Sequence, residues 1–357
     1  MNLPPHFPLP TPLPPDWPAP EALGFGQYLA PYLVEAQHRD HHGWSAPSLT
    51  PRGAAPAPVA SGALQYALAV FEGLKAYRDA RGQIHLFRAR DHALRLQHSA
   101  QRLGLPAPPT ELILKLCRLA VQIHAEFVPP HGRGALYLRP TLFAEDESLG
   151  LRPAQLHRLS IVATACSDPQ LQDVRLWAEP ELIRAARGGL GAVKASANYA
   201  AGMGGLLNAR ANGYDDVAWL DAATHSQLAE AGTMNLFVQI GTDVLTPPLD
   251  GTILAGITRS SVITLLRDAD IRVLEMPIAL QDLAHAQASG LLGAAFGTGT
   301  AARVKRITAL GDGQGDIIFN DRGLVRWVQQ RLKQAQESGT AGAGDRPWCE
   351  AVPPLIA

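Results

Sequence analysis

The chain has 357 residues, 46% of them apolar and 18% charged, with 31 Lys+Arg against 32 Asp+Glu and a net charge of -1. At about 150 residues per domain this suffices for two domains with their own cores, and the composition excludes a disordered chain or a polyelectrolyte. Near-neutrality removes the generic electrostatic case for nucleic acid or an anionic membrane; no run reaches the roughly 18 to 20 apolar residues of a membrane span; and the N-terminus lacks the basic start and apolar run of a signal peptide. The expected location is cytoplasmic, and the scattered Cys117, Cys166 and Cys349, with no CxxC pair, suit a reducing compartment.

The first 20 residues hold nine prolines, which deny backbone donors and favour extended chain, so 1–20 reads as a proline-rich arm or surface-laid extension. The stretch 46–61, rich in Pro, Gly and Ala, reads as a loop. Thr110 stands at an N-cap position before an apolar stripe of Leu112, Leu116, Leu119 and Ile123, which predicts a helix with one buried face. Short strands follow at 136–139 and 159–166. Beyond the polar segment 167–173 come a helix at 198–211 stopped by Gly213, a strand at 217–221 and a hairpin 236–245 turning at Gly241-Thr242-Asp243. A helix at 258–268, a strand at 271–276, a helix at 280–288 and a strand at 291–296 complete the pattern. The segment 337–345 reads as a flexible connection to a short apolar tail. Strands and helices mixed in two blocks predict an α/β or α+β two-domain protein with a cleft between them. Its expected parts are the arm 1–20, a small N-terminal domain 21–166, a linker 167–175 and a larger C-terminal domain 176–357.

Only five lysines occur, and one of them, Lys194, lies in RGGLGAVKASANYAAG just before a helix. Small residues there let the backbone approach a bound group, and an amine held among apolar neighbours is freed for Schiff-base chemistry. Read by itself the segment is equally a flexible loop with a surface lysine, and it lacks the Gly-Lys-Ser/Thr ending of a Walker loop. Glu230 precedes an Ala-Gly-Thr turn in AEAGTMNLF, where a fixed carboxylate can meet a protonated ring nitrogen. LAGITRSS and FGTGTAAR each bring small residues and hydroxyls to a helix start or turn, the kind of place where backbone N–H groups bind phosphate or carboxylate. Neither has the GxGxxG form of a nicotinamide site.

In order, LQYALAVFEGLKAYR, LFRARDHALRLQHSAQRLGLP, LYLRPTLFAEDESLGLRPA, KASANYAAG, AEAGTMNLF, TPPLDGTILAGITR and FGTGTAAR resemble the successive signatures of branched-chain amino acid aminotransferases, fold type IV enzymes that use pyridoxal 5'-phosphate. The resemblance spans about residues 20–350 and implies a smaller N-terminal α/β domain and a larger barrel-like C-terminal domain with the cofactor between. It implies that Lys194 anchors the cofactor covalently and shuttles the proton at the substrate Cα. Tyr199 would hydrogen-bond the cofactor's phenolic oxygen and Glu230 would pair with its pyridine nitrogen. Arg95 would hold the phosphate bidentately, with the Ile257-Thr258 backbone and hydroxyl and Thr300. For substrate it implies Tyr137 with Thr300-Ala301 at the α-carboxylate and a side-chain pocket of Phe25, Tyr66, Phe71 and Thr233. Arg139 would meet the distal carboxylate of glutamate. Leu151 matches a position contributed by the neighbouring subunit, which implies a homodimer.

The sequence departs from the family pattern at Ala255 in place of proline, at Ala195-Ser196-Ala197 after the lysine, and at Val304-Lys305-Arg306. None removes a reacting group, so the departures bear on substrate preference. No redox CxxC follows Thr300. The cluster His38-Arg39-Asp40-His41-His42 has metal-donor chemistry, but adjacent histidines in one loop without a second ligand group read as solvated, and no metal is expected. The expected function is reversible amino transfer between L-leucine, L-isoleucine or L-valine and 2-oxoglutarate. The alternatives are a D-amino acid aminotransferase or aminodeoxychorismate lyase of the same fold, or a retired relative binding other proteins through its arm.

Overall fold

A computed structural model describes residues 10–54, 56–168, 173–339, 342–343 and 346–355. The chain divides into two compact units. Unit 1 is Met1–Pro169 with Lys194–Ala197 and Gln334–Ala357; unit 2 is Gln170–Val193 with Asn198–Lys333. Two features differ from the expected division. Cys349–Ala351 pairs with Ile84–Phe87, so the C-terminal segment belongs with unit 1. Likewise Ala195 bridges Val70, which draws the segment Lys194–Ala197 to the same unit. The expected linker is already strand from Val174, and 169–172 lie outside the described residues.

Unit 1 is built on an antiparallel sheet in the order Cys349–Ala351, Ile84–Phe87, Leu74–Arg78, Gly134–Ala144, Leu156–Ser167, Tyr32–Arg39 and Gly43–Trp44. Gly134–Ala144 lies centrally and is almost wholly buried, which is why its run reads as apolar rather than alternating. Ala69–Phe71 adds to its far end. The helices Ala89–Arg102 and Thr110–Ile123 belong to this unit. In the first, Ala89, His92, Ala93, Leu96, Ser99 and Ala100 are buried, the three-and-four spacing of one helical face. In the second the N-cap is Pro109 rather than Thr110, Leu112 is only half-buried, and Ile113, Leu114, Cys117 and Val121 widen the buried face beyond the predicted stripe.

In unit 2 the strands Leu228–Ala231, Asp216–Leu220, Val174–Ala178, Arg303–Gly311, Leu292–Gly299 and Met234–Ile240 pair in sequence, and the last pairs back on the first, closing a barrel. Period-two alternation sorts its side chains: Leu236 and Val238 join one core cluster, while Phe237 joins another with residues of the helices Ile257–Arg267 and Leu324–Glu337. Phe237 stacks on Phe296, its cross-strand partner, at 4.9 Å.

The hairpin at 241–243 and the helix Leu280–Ala288 are as predicted. The helix expected at 198–211 is two pieces, Ser196–Ala201 and Met203–Ala211, divided at Gly202. The expected loop 46–61 contains a strand, Ser48–Pro51, paired with Tyr32–Arg39. Of the proline-rich arm, 1–9 lie outside the described residues. Further on, the Thr11 amide donates to Ile123 O, and Trp17 packs edge-on against Phe127 at 4.8 Å. Among the described residues no helix is long and apolar enough to cross a membrane.

Candidate active site

Unit 1 holds Lys194 by its backbone. Its amide donates to Ser99 Oγ at 3.0 Å and its carbonyl accepts from Phe71 N at 3.0 Å. The ammonium nitrogen lies 4.7 Å from the centre of the Phe71 ring, within cation–π range. Lys194 is therefore placed by a strand edge and a helix face rather than carried on a flexible loop.

Four residues before Ser99, on the helix Ala89–Arg102, stands Arg95. Its Nε and one terminal nitrogen donate to the two oxygens of Glu72 at 2.6 and 2.9 Å. His92, three residues earlier on the same face, contacts Glu72 through Nδ1 at 2.7 Å. Burial alone would raise the Glu72 carboxyl, but Arg95 and His92 together hold it well below the usual range. Burial lowers His92 and outweighs the attraction of Glu72, so a neutral imidazole donates to an ionised carboxylate. The paired fork of Arg95 thus faces Glu72, where the sequence reading had it face a phosphate.

A third group sits on the central strand. Tyr137 and Arg139, two residues apart, share a sheet face, and Arg139 donates to Tyr137 Oη through Nε and a terminal nitrogen at 3.2 and 2.8 Å. The Arg139 guanidinium also lies 4.6 Å from the Phe71 ring centre, and Phe25 packs edge-on against Tyr137 at 5.0 Å. Burial raises the Tyr137 phenol, with Arg139 pulling the other way, and the net shift keeps it a neutral donor. Gly73 makes this possible, since a Cβ there would overlap the Tyr137 hydroxyl. Lys194, Phe71, Arg139, Tyr137 and Phe25 are therefore contiguous. The Tyr66 hydroxyl donates to Leu149 O, and Leu151 lies in the solvent-exposed loop beyond.

Unit 2 positions the second set. Glu230 and Asn235 are cross-strand partners around the turn at Gly232-Thr233. Glu230 is 4% exposed; Arg184 Nε lies 2.8 Å from one oxygen, and Asn235 Nδ2 and the Leu254 amide donate to the other. Gly256, the N-cap of Ile257–Arg267, leaves room for Asn235, because a Cβ there would overlap its amide oxygen. That brings the N-terminus of the helix, with Ile257 and the buried Thr258, beside the Glu230 network. Asn235 also stands opposite Thr298, so the turns carrying Thr233 and Thr300-Ala301 share one end of the barrel. Tyr199 lies half-buried on Ser196–Ala201.

Glu72, His92, Ser99, Arg184 and Asn235 were not singled out from the sequence. Glu72, His92, Ser99 and Asn235 sit inside quoted motifs, but Arg184 carries no local signal, because its partner is made by the fold.

The sequence model of the amino-transferase class IV family matches residues 69–304. The chain is 38% identical over 314 residues to the branched-chain-amino-acid transaminase 1 of Bacillus subtilis (strain 168), covering 84% of this chain and 88% of that protein. It aligns with the crystal structure of a branched-chain aminotransferase from Thermoproteus uzoniensis with norvaline at TM-score 0.72 and 25% identity, covering 89% of this chain and 99% of that one. The branched-chain amino acid aminotransferase of Thermobaculum terrenum in its PLP form has the same fold, at TM-score 0.72 and 22% identity over 92% and 100% of the two chains. The chain belongs to the class IV aminotransferase family, and its fold is that of the branched-chain aminotransferases.

Proposed function

We propose that this chain is a pyridoxal-phosphate-dependent aminotransferase that moves the amino group of L-leucine, L-isoleucine or L-valine to 2-oxoglutarate and back in a ping-pong cycle. The observation that carries this is its 38% identity, over most of both chains, with a protein named as a branched-chain-amino-acid transaminase. The donor set fits the cofactor. Lys194 offers a primary amine, Glu230 a carboxylate neutralised by Arg184, and Arg95 with a helix N-terminus offers charge and N–H groups to a phosphate.

When bound, pyridoxal phosphate supplies a carbonyl that accepts the amino group and a protonated ring that takes up the electrons released at Cα. Lys194 would hold it covalently and would move the proton at the substrate Cα. The Phe71 ring packs beside the Lys194 nitrogen, its centre 4.7 Å away. Glu230, fixed by two donors and its ion pair with Arg184, would keep the pyridine nitrogen protonated, and Tyr199 would bind the phenolic oxygen. Ile257, Thr258 and Thr300 would hold the phosphate together with Arg95, which, its Nε and one terminal nitrogen being on Glu72, would not grip it through that pair.

Tyr137 and the turn Thr300-Ala301 bind the α-carboxylate of the substrate. Arg139, already on Tyr137 Oη, meets the distal carboxylate when glutamate is the donor. Phe25, Tyr66, Phe71 and Thr233 surround the branched side chain, whose burial contributes about 0.8 kcal/mol per methylene. Leu149 and Leu151 are 70% and 75% exposed, and covering them with a second copy supports a homodimer in which Leu151 serves the neighbouring site. A cytoplasmic location goes with this reading.

Steady-state rates with the three L-amino acids and 2-oxoglutarate test it: the account expects parallel double-reciprocal plots, loss of turnover in a folded Lys194→Ala, and a dimer in sedimentation. Transfer from D-alanine with none from the L-amino acids would contradict it.

A further inference from the structure

Arg39 to His42 of the histidine cluster are exposed, as a solvated turn would be, but His38 is not. His38 is inside the strand Tyr32–Arg39, and the register sets it directly opposite His157 of Leu156–Ser167. Asp40 follows two residues later, just beyond the strand end, where the period of two returns it toward the same face. The chain then turns, with His41 in the left-handed region and His42 N donating to Arg39 O. The second ligand group that the sequence lacked is thus supplied across the sheet.

One donor atom each from His38, Asp40 and His157 lies within 4.8 Å of the others. His157 is 3% exposed, and its Nδ1 and that of His38 are both buried without a hydrogen-bond partner. Two orphaned imidazole nitrogens in one place cost stability unless something satisfies them. The His38 Nδ1 to Asp40 Oδ1 separation is 4.0 Å, too long for a hydrogen bond. It needs only a small closure to reach the roughly 3.4 Å between ligands of a tetrahedral ion with bonds of about 2.1 Å. Asp40 is exposed at the strand end and so has room to close, and it leaves the site open to solvent for entry. Asp146 adds negative charge acting on His157.

We infer that His38, Asp40 and His157 form a binding site for a divalent transition-metal ion, with zinc the best match. Two imidazoles and one carboxylate select against magnesium and calcium, which take oxygen ligands. Three protein donors leave a fourth position for water, and the ion ties the end of Tyr32–Arg39 to Leu156–Ser167.

Trp44, the neighbour of His38 on its other side, has its ring 5.2 Å from the imidazole and so reports on the site. The test uses chelator-treated protein with its cofactor bound, titrated with zinc by calorimetry and with cobalt(II) by tryptophan emission. The inference predicts one zinc per chain and quenching by cobalt(II). Affinity should fall by roughly tenfold or more in both His38→Ala and Asp40→Asn. Trp44→Phe should keep zinc binding while losing the cobalt-dependent quench. His157 is in the core, so the variants at the half-buried His38 and the exposed Asp40 carry the test. Absence of stoichiometric zinc binding, or binding unchanged in His38→Ala, overturns it. Neither readout depends on transamination, so its failure is distinguishable from failure of the proposed function.

Discussion

Arg184 and Glu230 are ion-paired at 2.8 Å with side chains only 11% and 5% exposed. Glu230 is spent neither on solvent nor on a surface partner, and the guanidinium that neutralises it also donates to the carbonyls of Gly191 and Thr252. The carboxylate proposed to face a ring nitrogen is therefore locked before any ligand arrives.

Removing the arginine strands a buried carboxylate. Arg184→Gln is expected to lose about 3–5 kcal/mol of stability in urea denaturation, and to bind pyridoxal phosphate more weakly. A loss under about 1 kcal/mol, the size of an exposed pair, would mean that solvent reaches Glu230.

Glu72 is proposed to act through Arg95 rather than on the cofactor. Glu72→Gln should weaken cofactor affinity about tenfold, equal to about 1.4 kcal/mol. A double-mutant cycle with Arg95→Gln should show coupling of about 0.5–3 kcal/mol. Additive effects would show that the fork of Arg95 is held without Glu72.

Gly73 predicts a steric phenotype. A methyl group there displaces the Tyr137 hydroxyl, so Gly73→Ala should raise KM for L-leucine more than it lowers kcat. Overpacking adds a stability cost of about 1–3 kcal/mol. Unchanged KM would detach Tyr137 from substrate binding.

His124 gives a pH signature. It is buried against Tyr32 and Phe127, and burial lowers its pKa from 6.5 to about 4, only partly offset by the hydrogen bond to Ala120 O. Between those values the unfolded chain binds the extra proton, so this stability is present above pH 6.5 and is lost as pH falls toward 4. The full effect is about 3 kcal/mol. In His124→Phe, urea stability should fall less over that window, by about one proton's slope. An unaltered slope would assign the acid sensitivity to other groups.

What could be read from the sequence was what is local. The helix Leu280–Ala288 and the turn at Gly241 are set by spacing and turn chemistry within a few residues. Lys194, Arg95 and Glu230 stood out because each lies in a motif. Most partners of these residues, Glu72, Ser99, Arg184 and Asn235, did not, because pairing across a barrel or from a helix to a strand edge is decided by register. Arg184 lies far along the chain from Glu230, and His157 far from His38. Ser48–Pro51 was hidden by its proline, which an edge position tolerates. Gly202 broke a helix that read as continuous because alanines surround it.

The most direct test of the central claim is the visible absorption of the cofactor-loaded protein, recorded as L-isoleucine and then 2-oxoglutarate are added. The account predicts a band that bleaches with the amino acid, returns with the keto acid, and does not form in Lys194→Ala. A band indifferent to L-isoleucine but bleached by D-alanine, or one that cycles normally in Lys194→Ala, would contradict it.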